Sequence, residues 1–398
     1  MKFSVLLPTR NRLDLLARAI ETVRRQDYDN WEVIVSDNFS EEDVVGYIHS
    51  LNDSRIKYFR TASFIPVTEN WNNAIDKSDG DYVIMLGDDD GLMRGYFSTL
   101  NELIKKFDAP DFIYTNAFLY AYPNVIPSVP EGFLRTYGRK DMFKSACAPY
   151  WLERNNALEL VKYSLDFRLR FDYNMQFSLV SRGLINGMKQ YGAFYQSPYP
   201  DYYASNAMML KARRILVVPQ PMITIAISPK SFGFYYFNDA EASGNSFLKN
   251  LPDQSMVDRL RGIFLPGPDM NTSWLVSMET LAQNFGGEFD LHVSYERYRL
   301  LQICAVYAGK IMRKESALSV LMQLKHKMNL REKMLYGMPF SILAFLTPSH
   351  MRTIISSRIL SLTKLHPRIH MPKVAGNFDT ILDVFEQVDP NSYVEVEE

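Results

Sequence analysis

The chain has 398 residues, of which 47% are hydrophobic, 13% aromatic and 22% charged; this is the composition of folded domains, excludes a disordered or collagen-like chain, and leaves room for two or three domains. The formal net charge of −1 hides an asymmetry. Residues 297–373 carry 14 Lys and Arg against Glu315 and Glu332, so the remainder sums to −13, an acidic front and a basic rear suited to a polyanionic surface.

Met1-Lys2 leads directly into a strand, so no secretory signal is expected. Phe3 to Leu7 has buried-strand character and ends on the polar break Pro8-Thr9-Arg10-Asn11-Arg12. Leu13, Leu16, Ala17, Ile20 and Val23 then recur at helical spacing. Trp31 to Val35 predicts a second strand, closed by Ser36-Asp37-Asn38-Phe39-Ser40 and followed by a helix over Glu41 to Leu51. Ile56 to Phe59, Tyr82 to Leu86 and Phe112 to Thr115 predict further strands, with helices over Glu69 to Lys77 and Tyr96 to Phe107. Such alternation builds an α/β fold, a mostly parallel sheet with helices on both faces, and ligands then bind beyond the carboxyl ends of the strands.

Three polar clusters fall at those ends: Pro8 to Arg12, Ser36 to Asn38, and Asp88-Asp89-Asp90. Each alone is ordinary turn chemistry; together they predict a nucleotide pocket. Three adjacent acids repel one another, and a divalent cation with hard-oxygen preference, Mg or Mn, would hold them together. There is no G-x-G-x-x-G after the first strand and no G-x-x-x-x-G-K-[ST] anywhere, so a cation would have to do the work of a glycine-rich phosphate loop.

F-S-V-L-L-P-T-R-N-R at 3–12, W-E-V-I-V-S-D-N-F-S at 31–40, E-N-W-N-N-A-I at 69–75 and G-D-Y-V-I-M-L-G-D-D-D at 80–90 stand in the order and spacing of the family 2 glycosyltransferases. Residues 1 to about 235 resemble that family and its GT-A fold. The resemblance implies that Pro8, Thr9 and Arg10 line the nucleoside site, that Asp37 reaches the base, that Asn72 lies near the donor, and that the acidic run is the D-x-D metal motif. Arg12 and Asn38 belong to the same donor-facing clusters. Two departures stand out: Ser36 replaces the first acid of the frequent V-D-D-G-S, and counting from Gly80 puts Gly87 where the first Asp of D-x-D usually falls. Asp89 and Asp90 are therefore the expected metal ligands, with Asp88 a neighbour on the donor side.

Residues 121–144 have the proline and glycine spacing of a loop on the acceptor side, and Asn155 to Tyr163 and Asn174 to Ile185 predict helices. Inverting sugar transfer needs a carboxylate apart from the metal ligands to take the acceptor hydroxyl's proton. Asp201 lies where the resembled family places that base; the alternative reading is an N-cap for the helix running through Asn206 to Arg213. Tyr195, Tyr199, Tyr202 and Tyr203 offer stacking faces for a sugar, with Tyr199 and Tyr202 the expected acceptor contacts, or else core packing. After the strand-like Val217 to Ile227, Lys230 and Ser231 stand on a loop that could close over a diphosphate.

The expected organisation is a catalytic domain over 1–238, with a nucleotide half to about 116 and an acceptor half from 117, followed by a helical region over 239–398. In that region helices are predicted over Ser255 to Phe264, Thr272 to Phe285, Tyr295 to Met312, Ser316 to Met328 and Gly376 to Val388. Lys325 to Lys373 mixes cations with large aliphatics, a pattern of interface helices on anionic lipid more than of nucleic-acid binding. No apolar run nears the roughly 20 residues of a bilayer span. Cys147 and Cys304 have no ligand-like spacing and are expected to be reduced core residues. The expected protein is thus a cytoplasmic transferase, peripheral to the inner face of the cell membrane. It would take a UDP-sugar or similar donor and a glycan or lipid-linked glycan acceptor. A sugar nucleotidyltransferase and a non-catalytic glycan- or membrane-binding module are the alternatives, the first disfavoured because Pro8 to Arg12 contains no glycine.

Overall fold

Contiguous apolar runs fully buried on both faces are what parallel strands require, and they form here as expected. β1 (Phe3–Thr9) pairs in parallel with β2 (Trp31–Asp37), in the register Phe3 to Trp31 and Thr9 to Asp37. α1 (Leu13–Arg24) and α2 (Val44–Ser50) flank them, and β2 pairs in parallel with β3 (Ile56–Arg60). α3 (Val67–Asp76) leads to β4 (Tyr82–Met85), which pairs in parallel with the other edge of β1. The computed structural model describes residues 1–137, 142, 146–169, 174–231, 254–313, 317–365 and 373–393.

Beyond β4 the sheet becomes mixed. The remaining strands are β5 (Gly91–Leu92), β6 (Phe112–Ala121), β7 (Phe133–Thr136), β8 (Tyr150–Leu152), β9 (Ser178–Ser181) and β10 (Ile215–Ile227), and α4 (Tyr96–Lys106) joins β5 to β6. The described strands run in the order β3-β2-β1-β4-β9-β6-β10-β5, with β7 on β6 and β8 on β10. β9 lies antiparallel between β4 and β6. It corrects the helix expected over Asn174 to Ile185, which is a 3-10 turn (Met175–Phe177), then β9, then a helix over Arg182–Met188 only. Short apolar runs suit either state, and Leu179 and Val180, 0% and 2% exposed, are claimed by the sheet interior. β10 pairs in parallel with β6, and the register slips between Val218 and Ile223, where Pro219 and Pro221 cannot donate to a ladder. β7 also puts a strand inside the segment expected to be loop.

After α5 (Arg154–Leu165) and α6 (Arg182–Met188), α7 (Pro200–Lys211) starts with proline in its first turn, where no N–H is needed. The C-terminal helices then pack back on the sheet. In α8 (Asp269–Phe285), Trp274, Leu275, Met278 and Leu281 are buried in the same hydrophobic cluster as β1 and β4, as are Tyr298 and Leu301 of α9 (Tyr295–Ile311). A boundary at 238 therefore does not separate two cores. A smaller cluster joins Ile303, Tyr307, Leu324, Phe340 and Ile359, closing a helical layer on the outer side of α9. α10 (Ile381–Gln387) returns to the N-terminal half, where Ile381 and Val384 pack with Leu15 and Met93. Cys304 is buried as expected, whereas Cys147 is exposed.

Candidate active site

β4 ends in a tight turn, with the Asp90 N–H donating to the Gly87 carbonyl at 3.1 Å. The turn folds Asp90 back so that its Oδ2 accepts the Gly87 N–H at 3.1 Å. A Cβ at position 87 would stand 2.3 Å from that oxygen, so the glycine found in place of the usual aspartate is what lets the third acid turn inward. Asp90 Oδ1 accepts the Ala226 N–H of β10 at 2.8 Å, and the Gln176 side-chain amide donates to Oδ2. Both oxygens of Asp90, one of the two expected metal ligands, thus hold protein donors, which makes it the anchor of the turn.

Asp88 turns toward the end of β1. It accepts the Thr9 hydroxyl at 2.7 Å and pairs with the Arg12 guanidinium at 2.9 Å. Burial alone would lower the Arg12 pKa, but the charges of Asp88, Asp89 and Asp90 raise it on balance. Asp89 accepts the Ser228 hydroxyl at 2.7 Å on one oxygen. Burial pushes its carboxyl up to about 6, with the nearby Arg12 charge opposing, and burial drives Asp90 well above the usual range. Among the described residues no three His, Cys, Asp or Glu side chains converge as a ready metal cage.

Around this turn the polar loops are joined to one another. The Asn11 amide oxygen accepts the Glu41 N–H at 2.7 Å, its N–H donates to the Ser40 hydroxyl at 2.9 Å, and Glu42 accepts the first N–H of α1 from Leu13 at 2.6 Å. Asp37, 1% exposed, accepts the Ser40 N–H at 2.9 Å and the Tyr58 hydroxyl at 2.7 Å. Asn38 clasps the Ile65 backbone through both ends of its amide, at 2.7 and 2.9 Å. Asn72 does the same to Tyr195, at 2.9 and 3.0 Å. These three, expected to face the donor, have side-chain polar atoms engaged in holding loops in place. Pro8 is partly exposed at the end of β1, and Arg10 is exposed with its guanidinium 4.1 Å from the centre of the Phe64 ring.

The segment after β10 closes against α1. Arg12 also donates to the Lys230 carbonyl, while the Lys230 ammonium reaches the Asn11 carbonyl at 3.1 Å and Asp14 at 3.5 Å. The Lys230 side chain therefore points to the outer edge of α1, not to the acidic turn. Ser231 is 6% exposed and bonds back to Ser228, whose N–H donates to the Ser231 hydroxyl at 3.1 Å.

Asp201 is not the N-cap of α7; Tyr199 holds that position and Asp201 lies in the first turn. Its carboxylate accepts the Met175 N–H at 2.9 Å, from the 3-10 turn whose next residue, Gln176, donates to Asp90. Burial pushes the Asp201 carboxyl up to about 8. Tyr199 is partly exposed and stacks on Tyr202 at 5.2 Å, but Tyr202 is 3% exposed and packs on toward Trp274 at 6.1 Å. Tyr202 is thus a core residue, while Tyr199 stays partly exposed.

Sequence reasoning missed Ser228, Gln176 and the Ala226 N–H, all partners of the acidic turn. None carries a local signal, because strand register alone brings them there.

Comparison with known proteins places these features. A segment is 41% identical over 102 residues to a GalNAc(5)-diNAcBac-PP-undecaprenol beta-1,3-glucosyltransferase of Campylobacter jejuni, covering 25% of this chain and 33% of that protein. Another is 32% identical over 148 residues to the putative colanic acid biosynthesis glycosyl transferase WcaA of Escherichia coli, covering 35% of this chain and 52% of the relative. The matches thus span a third to a half of the length of these two relatives. The crystal structure of S. aureus TarS aligns over 92% of this chain and 90% of its own, at 16% identity and a TM-score of 0.44. The mixed sheet flanked by helices, with the acidic turn after β4, agrees with the α/β fold expected from the sequence. Residues 4–147, which contain that turn, match the family model described as glycosyl transferase family 2.

Proposed function

We propose that the chain is an inverting glycosyltransferase that moves a sugar from a nucleoside diphosphate donor, with a UDP-sugar expected, to a hydroxyl of a glycan or lipid-linked glycan. The observation that carries this reading is the convergence of Thr9 at the end of β1, Arg12 at the start of α1 and Ser228 just after β10 on the acidic turn that follows β4. The acceptor class draws on the undecaprenol-diphosphate glycan in the name of the Campylobacter relative. The enzyme would work as a peripheral protein on the inner face of the cell membrane.

The residues present fit a divalent cation. Asp89 and Asp90 are both raised by burial, and the nearby guanidinium of Arg12 is already paired with Asp88, so added positive charge would relieve the site. Asp89, with one oxygen held by Ser228, is the carboxylate best placed to meet Mg or Mn, and the donor's phosphates would complete the shell. When bound, the ion would neutralise the departing diphosphate. Asp90 keeps the turn folded, and Asp88 fixes Arg12. Asp201, on the far side of the Met175–Phe177 turn, takes the proton of the attacking hydroxyl; a carboxyl near 8 is a stronger base than an ordinary aspartate once ionised. Tyr199 offers the acceptor a face to stack on.

The test is release of nucleoside diphosphate from a panel of nucleotide sugars with Mn or Mg and a lipid-linked glycan acceptor. Parent protein should turn over one donor class, Asp89→Asn should lose metal-supported donor binding, and Asp201→Asn should bind donor without turnover. Release of pyrophosphate would revive the nucleotidyltransferase alternative, and silence across the panel would favour a binding module.

A further inference from the structure

The helical layer outside α9 presents an apolar face that the rest of the described chain leaves uncovered. The continuous helical stretch 330–346, with a π-helical turn at Lys333–Gly337, is apolar on two sides. Gly337 and Phe340 face inward against Tyr307 and Met328. Outward stand Leu330 at 75% exposure, Met334 at 63%, Met338 at 65%, Ile342 at 56%, Phe345 at 88% and Leu346 at 66%. The neighbouring helices Ala317–Lys327 and Arg352–Ser361 add Met322 at 63% and Ile354 at 53%. Isolated exposed aliphatics are normal on soluble surfaces, but a run of this length with an aromatic at its end marks an interaction site.

Charge identifies the occupant. Residues 317–365 contain Lys325, Lys327, Arg331, Lys333, Arg352, Arg358 and Lys364, and a single acid, Glu332. That acid is buried and tied by both carboxylate oxygens to Arg299, at 2.6 and 2.8 Å, so it offers no negative charge to the surface. A self-associating protein face balances its cations with acids; here Glu296 of α9 stands 3.7 Å from Arg331, and the excess of cations over 317–365 remains. Large exposed aliphatics among exposed Lys and Arg fit a surface that is apolar at depth and negative at its rim, which is an anionic bilayer. No helix among the described residues is long and apolar enough to cross a membrane.

We infer that helices Ala317–Lys327, 330–346 and Arg352–Ser361 form a docking face that seats the enzyme on an anionic bilayer, with Phe345 and Leu346 inserted and the basic residues at the headgroups. This deepens the peripheral placement proposed above by assigning the residues that make it.

Sedimentation of the full chain with phosphatidylcholine vesicles, and with vesicles containing roughly a third phosphatidylglycerol, tests the inference without donor or acceptor, so a failed glycosyltransferase reading leaves it untouched. The expected result is partitioning at least about tenfold stronger to the anionic vesicles, weakened by salt. Phe345→Ser with Leu346→Ser should cut it about tenfold, with helicity and Tm retained because both side chains are exposed. Val45→Ser, at an exposed apolar position on α2, should change nothing. Equal binding to both vesicle types, or parent-like binding by the Phe345/Leu346 variant, would overturn the inference. So would vesicle-free dimerisation in sedimentation velocity that the same variant abolishes, since a second copy would then be the occupant.

Discussion

Asp201→Asn separates the two things the Asp201 carboxyl does. In the folded protein burial raises its pKa to about 8, whereas in the unfolded chain it titrates near 3.8. The folded state therefore holds a proton that the unfolded chain has lost, and stability falls as pH rises from 3.8 to about 8, with the full cost present above that. At about 1.4 kcal/mol per unit, the change between about pH 5.5 and about pH 8.5 has a ceiling of about 3 kcal/mol. Partial exposure of the side chain screens it to on the order of 1–2 kcal/mol. Asparagine keeps an oxygen for the Met175 N–H and does not ionise, so the variant should gain on the parent by that amount across the interval. Urea unfolding of both proteins at the two pH values reads it as a divergence of midpoints. A constant gap would mean that the carboxyl titrates near its ordinary value in contact with water, and the burial argument would fail. Turnover tests the other role: Asp201→Asn should retain donor binding while kcat drops by orders of magnitude, and the parent's kcat should rise with pH toward about 8 as the base ionises. Parent-like turnover would leave Asp201 only as the tether of Met175.

Three further substitutions probe the rest of the site and the core. Asp89→Asn should abolish the Mn-dependent rise in Tm on adding nucleoside diphosphate. In the parent that rise should fade as pH falls below about 6, because the ligand must be deprotonated. Gly87→Ala places a Cβ 2.3 Å from Asp90 Oδ2 and should cost about 1–3 kcal/mol by denaturation, with donor binding weakened as the turn opens. Trp274→Ala, fully buried against the sheet from a C-terminal helix, should cost about 3–5 kcal/mol and shift one cooperative transition. Two separated transitions would show that residues beyond 238 form their own folding unit.

The strands of the nucleotide half were legible because buried parallel strands must be apolar throughout and end where polar residues begin, as at Leu7-Pro8 and Leu86-Gly87. β9 was not, since Phe177 to Val180 suits a helix until the empty place between β4 and β6 decides. The acidic run was visible as a cluster, but its division of labour was not. Asp88 faces Thr9 and Arg12, Asp90 faces the Ala226 N–H and Gln176, and Asp89 faces Ser228 through one carboxylate oxygen. Adjacent residues in a turn point in different directions, and sequence spacing does not say which. Asn38 and Asn72 show the converse: their positions in the resembled motifs suggested ligand contact, while their amides hold Ile65 and Tyr195.

What joins the two halves of the site is the Met175–Phe177 turn. The Met175 N–H is fixed by Asp201, and one residue on the Gln176 amide is fixed by Asp90, which in turn folds the loop that presents Asp89. The candidate base and the candidate cation-facing carboxylate are thereby referenced to a single short piece of backbone, itself continuous with β9 between the central strands. Transfer requires the attacking hydroxyl and the departing diphosphate to be aligned across the sugar, and misplacement by about 1 Å costs on the order of 100-fold. In the proposed reaction, a rigid link between the candidate base Asp201 and the turn that presents Asp89 meets that requirement better than two independent loops could. The turn runs directly into β9, antiparallel between β4 and β6, and bridges the acidic run and α7.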